Sequence, residues 1–586
     1  MKKTCLKYFT LLLGISLWSC EDQLDPRIDV TYTEEFAYTL PERIEGILMN
    51  AYAAIPGQFD SYNNNFLDVA TDNAVTNAFN TSIYDAATGG ISPWSNPIGN
   101  WDVAYSQFRN IHLFLDHGLG DHVNYNLEKP ETDSLTKVRL KGEAYFLRAW
   151  WGFKLLHEFG GKTNSGSALG YPIITKTPGE EEARDLEAVW RDTYETCALQ
   201  ILADCDTAIN YLPLTYKGAD LVVGNVQIGR ASQQAAYALK SRVSLYAASP
   251  AYQPDEVTQI TGMGQFFVND AVKYREKWER AATLAQEAVD NIGAFQSLST
   301  NHFNSNNTPD EFIWRKYFNS RGMELRHYPP LEYGDAFTGP SQNLVDAFPM
   351  QNGFPISDVR SGYDPENPYQ GRDSRLDLTV FYNGSTLNGK AIETFTGGKD
   401  SRTGHQEATR TGYYLRKWLS VRSGLLNPEN PGNDHHYHVL FRKTESYLNL
   451  AEAANEAYGP EGVGPDIGQS AADIIKSIRN AAGINDNTYV DEVAAQGKDA
   501  FRILIQNERR LELAFENHRF FDMRRWVLPL NETVRGVEIA KDIDDNFQYS
   551  SMDVEERNFD NIRDYYLPLP YDELMKSPNM ENNLGW

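Results

Sequence analysis

The chain has 586 residues, 41% of them hydrophobic, with a formal charge of −26. So acidic a surface repels polyphosphates and argues against nucleic acid as a ligand; it also repels anionic lipid. Neutral substrates and partners with basic patches remain compatible with it. The length and the aromatic content (12%) call for a large folded core, and no stretch has the bias of a linker or a charged tail.

The chain opens with a secretory pattern. Met1-Lys2-Lys3 and Lys7 precede an apolar run through Phe9, Leu11, Leu12, Leu13, Ile15, Leu17 and Trp18, followed by Ser19 and Cys20. The run is too short to span a bilayer, which takes about 20 residues. Leu17-Trp18-Ser19-Cys20 resembles a bacterial lipobox, so residues 1–19 are expected to be removed and Cys20 to carry lipid. Two or three acyl chains, at about 0.8 kcal/mol per buried methylene, hold a protein where one does not. The alternative is an ordinary signal peptide cut near Ser19, with Trp18 an unusual lipobox residue. Losing Lys2, Lys3 and Lys7 takes the mature chain to a charge near −29.

Beyond Cys20, helical spacing dominates the first half of the chain. Pro41 opens a helix that runs toward Ala54 and is ended by Pro56-Gly57. Trp101 to Leu115 returns to helical spacing. Leu140, Ala144, Leu147, Trp151 and Leu155 form a core-facing stripe, stopped by Gly160-Gly161. Val189–Tyr211, Ala231–Ala248 and Trp278–Ile292 have the same character. Helix pairs with small residues at their crossings predict a tetratricopeptide-like array, although no strict 34-residue period survives. Trp101, Trp151 and Trp526 sit on such stripes and are expected in the core.

From about 294 to 435 the periodicity fades and Gly, Pro, Asn and aromatics rise. Glu311–Trp314 and Leu378–Tyr382 are strand candidates there. Long ordered loops of this kind are usually functional. Helices resume at Leu440–Tyr458, Ala471–Ala481 and Asp499–Phe515, and the chain is expected to end in coil with Pro568 and Pro570. The fold is therefore predominantly all-α. Helical scaffold is expected at about 36–293 and 440–530, with a loop-rich part at about 294–435.

Catalytic fingerprints are missing. There is no GxxxxGK(S/T) loop, no HExxH and no GxSxG. His435-His436-Tyr437-His438 puts two histidines on one strand face, suitable for zinc but without an identifiable third ligand; the alternative is a strand entering the next helix. The acidic runs Glu180–Glu182 and Asp542–Asp545 read as solvated surface. Asn63 to Asn77 offers oxygens for calcium but lacks the spacing of a calcium loop. No metal or cofactor is expected. Cys197 and Cys205 lie eight apart on one helix, about 12 Å in rise, beyond the roughly 7 Å a disulfide allows, and are expected to be unpaired and buried.

A family becomes visible in the order of several blocks. They are Trp101-Asp102-Val103-Ala104-Tyr105, Gly142-Glu143-Ala144-Tyr145-Phe146-Leu147-Arg148-Ala149, Tyr363-Asp364-Pro365-Glu366-Asn367-Pro368-Tyr369, and Gly371-Arg372-Asp373-Ser374-Arg375-Leu376. Arg442–Leu448, Ile478–Ile484, Asn507–Glu516, Arg519–Trp526, Tyr566–Pro570 and Asn583–Trp586 come after them. Together these resemble the RagB/SusD family of surface nutrient-binding lipoproteins across essentially the whole mature chain. Ser374 stands where the family often has proline, and Trp586 where it usually has tyrosine. The resemblance implies one binding domain over 20–586, a non-catalytic binder at the outer membrane, acting as a lid on a SusC-type TonB-dependent transporter and delivering oligosaccharide to it. Peptide cargo is the alternative within the family; a glycoside hydrolase or a structural adaptor are alternatives outside it. The charged block Glu508 to Arg525, alternating at helical steps, reads as an ion-pair network locking the last helices to the scaffold.

Sugar rings pack their C–H faces on aromatic planes and need fixed partners for their hydroxyls. Trp94, between Pro93 and Pro97, has little helical core to join and is the first ligand candidate, with Asn96 as hydroxyl partner; local packing is the alternative. In glycan-binding family members, loops in this part of the chain contribute. Asp72, Asn73 and Asn77 resemble a polar family segment near the site, with turn formation as the alternative. Trp314, Tyr317 and Tyr333 form a third set that can line a groove, unless Trp314 is a buried strand residue.

Overall fold

The computed structural model describes residues 38–586; the leader and Cys20 lie outside them. Apolar residues at three- and four-residue steps build the first half. Helix α1 (Pro41–Ala53) has proline in its first turn, where the missing N–H costs nothing, and buries Ile44, Leu48 and Ala51. Helix α2 (Trp101–His117) buries Trp101, Ala104, Phe108 and Ile111. Helix α3 (Pro130–Phe159) is the longest, at 30 residues, and ends at Gly160. Helices α4 (Tyr194–Tyr211), α5 (Gln233–Ala248) and α6 (Ala271–Ile292) are capped by the side chains of Thr193, Ser232 and Asp270. The Thr193 cap explains why α4 starts later than the expected Val189.

Each of these helices packs on the next, α1 on α2 and so on to α6, as the helix-pair expectation required. Small residues set the spacing. A β-carbon at Gly142 of α3 would lie 2.8 Å from Leu212 Cγ, so the chain leaving α4 sits directly on that glycine. Cys197 and Cys205 are unpaired and buried on α4, and burial pushes the Cys197 thiol up to about 12.

Helix α7 (Lys443–Tyr458) packs on α6 and carries the array into α8 (Ala471–Ala481) and α9 (Lys498–Glu512). The loop-rich part is thus an excursion between two neighbouring helices, closed at its base by an antiparallel ribbon. Strand β1 (Phe312–Ser320) pairs with β2 (Asp434–Arg442), Tyr317 facing Tyr437. Strand β2 runs straight into α7, which begins at Lys443 rather than Leu440 because Val439 to Arg442 still belong to the ladder. His436 is 3.4 Å from Glu324, and His438 donates to the Pro56 carbonyl at 2.7 Å. No cluster able to hold a metal occurs among the described residues. The strand expected at Leu378–Tyr382 is a helical turn (Ser374–Thr379) followed by a two-residue strand. The coil expected near the end contains a hairpin, β3 (Val534–Lys541) with β4 (Phe547–Glu555).

A buried ion network joins these parts. Arg442, the last residue of β2, donates to Glu512 and Glu516 at 2.9 Å each. Arg375 binds Asp373, Glu508 and Glu512 at 2.6–3.1 Å, and Lys417 binds Glu516 at 2.8 Å. On helix α10 (Arg519–Arg525), Asp522 takes Arg509 at 2.9 Å and Arg525 at 2.7 Å; Arg525 also grips Glu452 of α7. Burial alone raises the Glu512 pKa, but Arg442, Arg375 and Lys417 outweigh it and hold the group at about 2.

Removing one partner strands the others in a dry interior. Arg442→Met is expected to lower unfolding free energy by about 3–5 kcal/mol, read from urea denaturation. Glu512, depressed in the folded state, contributes stability that is complete above its unfolded value near 4.5 and is lost as pH falls toward 2. The urea midpoint is therefore expected to fall between pH 5 and pH 3, and less steeply in Glu512→Gln.

Candidate functional site

Asp72 and Asn73 are buried and turned toward the protein. The Asp72 carboxylate accepts from Arg519 Nε and Nη2 at 2.8 Å each and lies 3.0 Å from Arg510. Burial raises its pKa, and the two guanidiniums more than reverse that, holding it well below the usual carboxylate range. Asn73 donates to Asp68 at 2.9 Å and accepts from Arg510 at 2.8 Å; Asn77 donates to the Ala336 carbonyl. Contrary to the expectation from sequence, Asp72 and Asn73 pin the N-terminal segment to α9 and α10 with their side-chain polar atoms already used, and Asn77 ties it to the loop-rich part. Asn63 is engaged by Ser82 and Ile83, and Asp68 Oδ1 by Asn73 and the Phe515 amide, while Asp68 Oδ2 is buried without a partner.

Trp314 does not line a groove either. Only 2% of its surface is exposed. Its indole N–H donates to Gly229 O at 3.0 Å, and its ring meets Phe146 and Trp150 edge-on. Strand alternation is the reason: Phe312 and Trp314 point inward, whereas Tyr317 leaves by the opposite face. Tyr317 is 46% exposed and stacks on His435. Tyr333 is 56% exposed, in the left-handed region (φ 66°), beside an open cleft of about 240 Å³ shared with Asn388, Lys390 and Asn427.

Trp94 and Asn96 are brought together in another cleft. The turn Ser92–Ser95 is closed by reciprocal backbone bonds of 3.1 Å, which lift Trp94 out to 73% exposure. Its ring lies 5.0 Å from that of Tyr571, tilted by 33°, and the Tyr571 amide donates to the Pro93 carbonyl at 3.1 Å. Tyr571 opens the short helix α11 (Tyr571–Lys576). Behind the platform is a cleft of about 280 Å³ whose walls include Asn96, Asn100, Asp102, Phe159, Pro568 and Pro570. Gly99 is obligatory there, since a β-carbon would lie 2.4 Å from Phe159 Cζ and 2.9 Å from Asn96 Nδ2.

The polar groups of this cleft are partly uncommitted. Asn96 accepts from the Ile98 amide at 3.0 Å, leaving its Nδ2 buried without a partner. The cleft also meets the start of α2, whose first-turn N–H groups at Trp101, Asp102 and Val103 have no carbonyl within the helix. Two aromatic planes, free N–H donors and the Asp102 carboxylate suit a polyhydroxylated molecule with apolar faces. Asp102, Asp572 and Glu573 gather here around Lys576, a setting unfavourable to anions. Tyr571 was missed in the sequence; its signal was an aromatic directly after Pro568-Leu569-Pro570. Trp101, Trp151 and Trp526 are core residues, as expected.

A profile of the SusD family matches residues 287–586. The chain belongs to the SusD family. A second profile, described as starch-binding associating with outer membrane, matches residues 22–245. The SusD-like protein P25 of Formosa agariphila is 22% identical over 97% of this chain and 96% of its own. A SusD-like protein from Bacteroides fragilis superposes with a TM-score of 0.71 at 22% identity, covering 94% of this chain and 99% of that one. A SusD-like carbohydrate-binding protein of the same species gives 0.66 at 20% identity, over 93% and 99%. A laminarin-binding SusD-like protein gives 0.56 at 19%, over 94% and 100%. These solved structures share the fold of this SusD-family chain.

Proposed function

We propose that this SusD-family protein is a surface lipoprotein that captures neutral oligosaccharides at the Trp94 cleft and delivers them to a SusC-type TonB-dependent transporter without chemically altering them. The observation that carries the binding reading is Trp94 itself: a tryptophan held largely in solvent, backed by Tyr571, over a cleft with unused donors. The carbohydrate- and laminarin-binding relatives and the starch-binding description of the family support the ligand class. The leader ending at Cys20 supports a lipid tether, and no helix among the described residues is long and apolar enough to cross a membrane. Tyr317 and Tyr333 are proposed as outlying contacts for longer chains.

Affinity electrophoresis through neutral polysaccharides, laminarin and starch among them, tests the proposal. Retardation is expected, with no release of reducing ends on prolonged incubation. Trp94→Ala is expected to weaken binding by roughly 30-fold, about 2 kcal/mol, as for a buried aromatic anchor. Binding confined to peptides in calorimetry would move the cargo to the peptide class. Cys20→Ala is expected to release soluble protein that still binds glycan but supports uptake poorly; retention on the cell at wild-type levels would make the transporter contact the anchor instead.

A further inference from the structure

A second cavity, of about 100 Å³, shares Asn100 with the Trp94 cleft and lies against α3, the middle of β2 and the turn before α10. On α3, Trp150, Lys154 and His157 follow one another at helical steps along its wall. Its donors are unspent. Lys154 Nζ is bonded to Glu158 alone, leaving two of its three N–H groups. His157 Nδ1 is buried with no partner. His518 Nδ1 accepts a long 3.4 Å contact from Arg509, which puts the ring proton on Nε2, a donor. The carboxylates beside it, by contrast, are spent. Glu158 takes the Asn100 amide at 2.9 Å as well as Lys154, and Glu516 takes Lys417 at 2.8 Å and Arg442 at 2.9 Å. Arg242, also on the wall, is held by Glu445.

At His157 and His518 the field has one sign. Burial, then Lys154, Arg242 and Arg525, push the His157 pKa down; burial, then Arg242, Arg509, His157 and Arg442, do the same to His518. Both imidazoles are neutral at pH 7 inside a positive potential that no free carboxylate cancels. At roughly 10–15 Å³ per water-sized probe, the space holds several waters, enough for a sulfate or a carboxylate.

We infer that this cavity is a second binding site, which takes one oxyanion group, a carboxylate or a sulfate, between Lys154, His157 and His518. The group is either a free ion or an anionic substituent of a saccharide that enters past Asn100. The site is separate from the Trp94 cleft, whose own acidic surroundings disfavour anions.

Isothermal calorimetry on the mature chain, with sodium sulfate, acetate and glucuronate at ionic strength held constant by chloride, tests it. Saturable one-site binding of at least one anion is expected. Lys154→Met and His157→Leu are each expected to weaken it at least tenfold. His157→Leu keeps the test decisive if Lys154→Met fails to fold, because His157 gives up no hydrogen bond. Glucuronate binding more tightly than acetate assigns the group to a saccharide; equal affinity assigns it to the free ion. No saturable binding of any of the three, or undiminished binding in the folded variants, overturns the inference.

Discussion

The structure depends on one buried constraint, the set of carboxylates on α9 and just after it, Glu508, Glu512 and Glu516, shared among Arg375, Arg442 and Lys417. These cations come from the loop-rich part and from the ribbon that closes it, and the carboxylates from the helical scaffold. Without the pairing, each partner would be a lone charge in an interior that solvates it poorly. The network therefore fixes how the irregular half sits on the helices. Arg509, Asp522, Arg525 and Glu452 extend it to α7 and α10, and Asp72 with Arg510 and Arg519 extends it to the N-terminal segment.

The candidate site follows from that rigidity. The Ser92–Ser95 turn and the last residues of the chain are far apart in sequence, yet Trp94 meets Tyr571 because Pro568 and Pro570 are held against the start of α2. A platform of this kind gains affinity from being formed before the ligand arrives. The inner cavity has the same origin: Lys154 and His157 on α3 line one cavity with His518 because α10 is tied to α9 through Asp522 and Arg509 and to α7 through Arg525 and Glu452.

Much of the helical scaffold was legible because burial on one side of a helix imposes a three- and four-residue repeat, visible in α3 as Leu140, Ala144, Leu147, Trp151 and Leu155. The ion-network reading of Glu508 to Arg525 was legible for a similar reason, since opposite charges at helical steps face one another. Less of the site was. Trp94 and Asn96 stood out as polar and aromatic residues between prolines. Asp72 and Asn73 look the same in sequence whether they meet a sugar or an arginine, and Trp314 looks the same on either face of a strand. The β3–β4 hairpin was unread because Phe547 and Tyr549 alternate over too short a stretch.

By itself the sequence determined the helical class, the family and the free cysteines, all of which rest on local order: spacing, motif succession and the rise of a helix. Only the tertiary structure decided which polar groups are spent and which are free. It turned Asp72 inward to Arg519 and left Trp94 facing solvent beside Tyr571. Whether a hydrogen-bonding group is available depends on partners hundreds of residues away, and no local pattern encodes that distance.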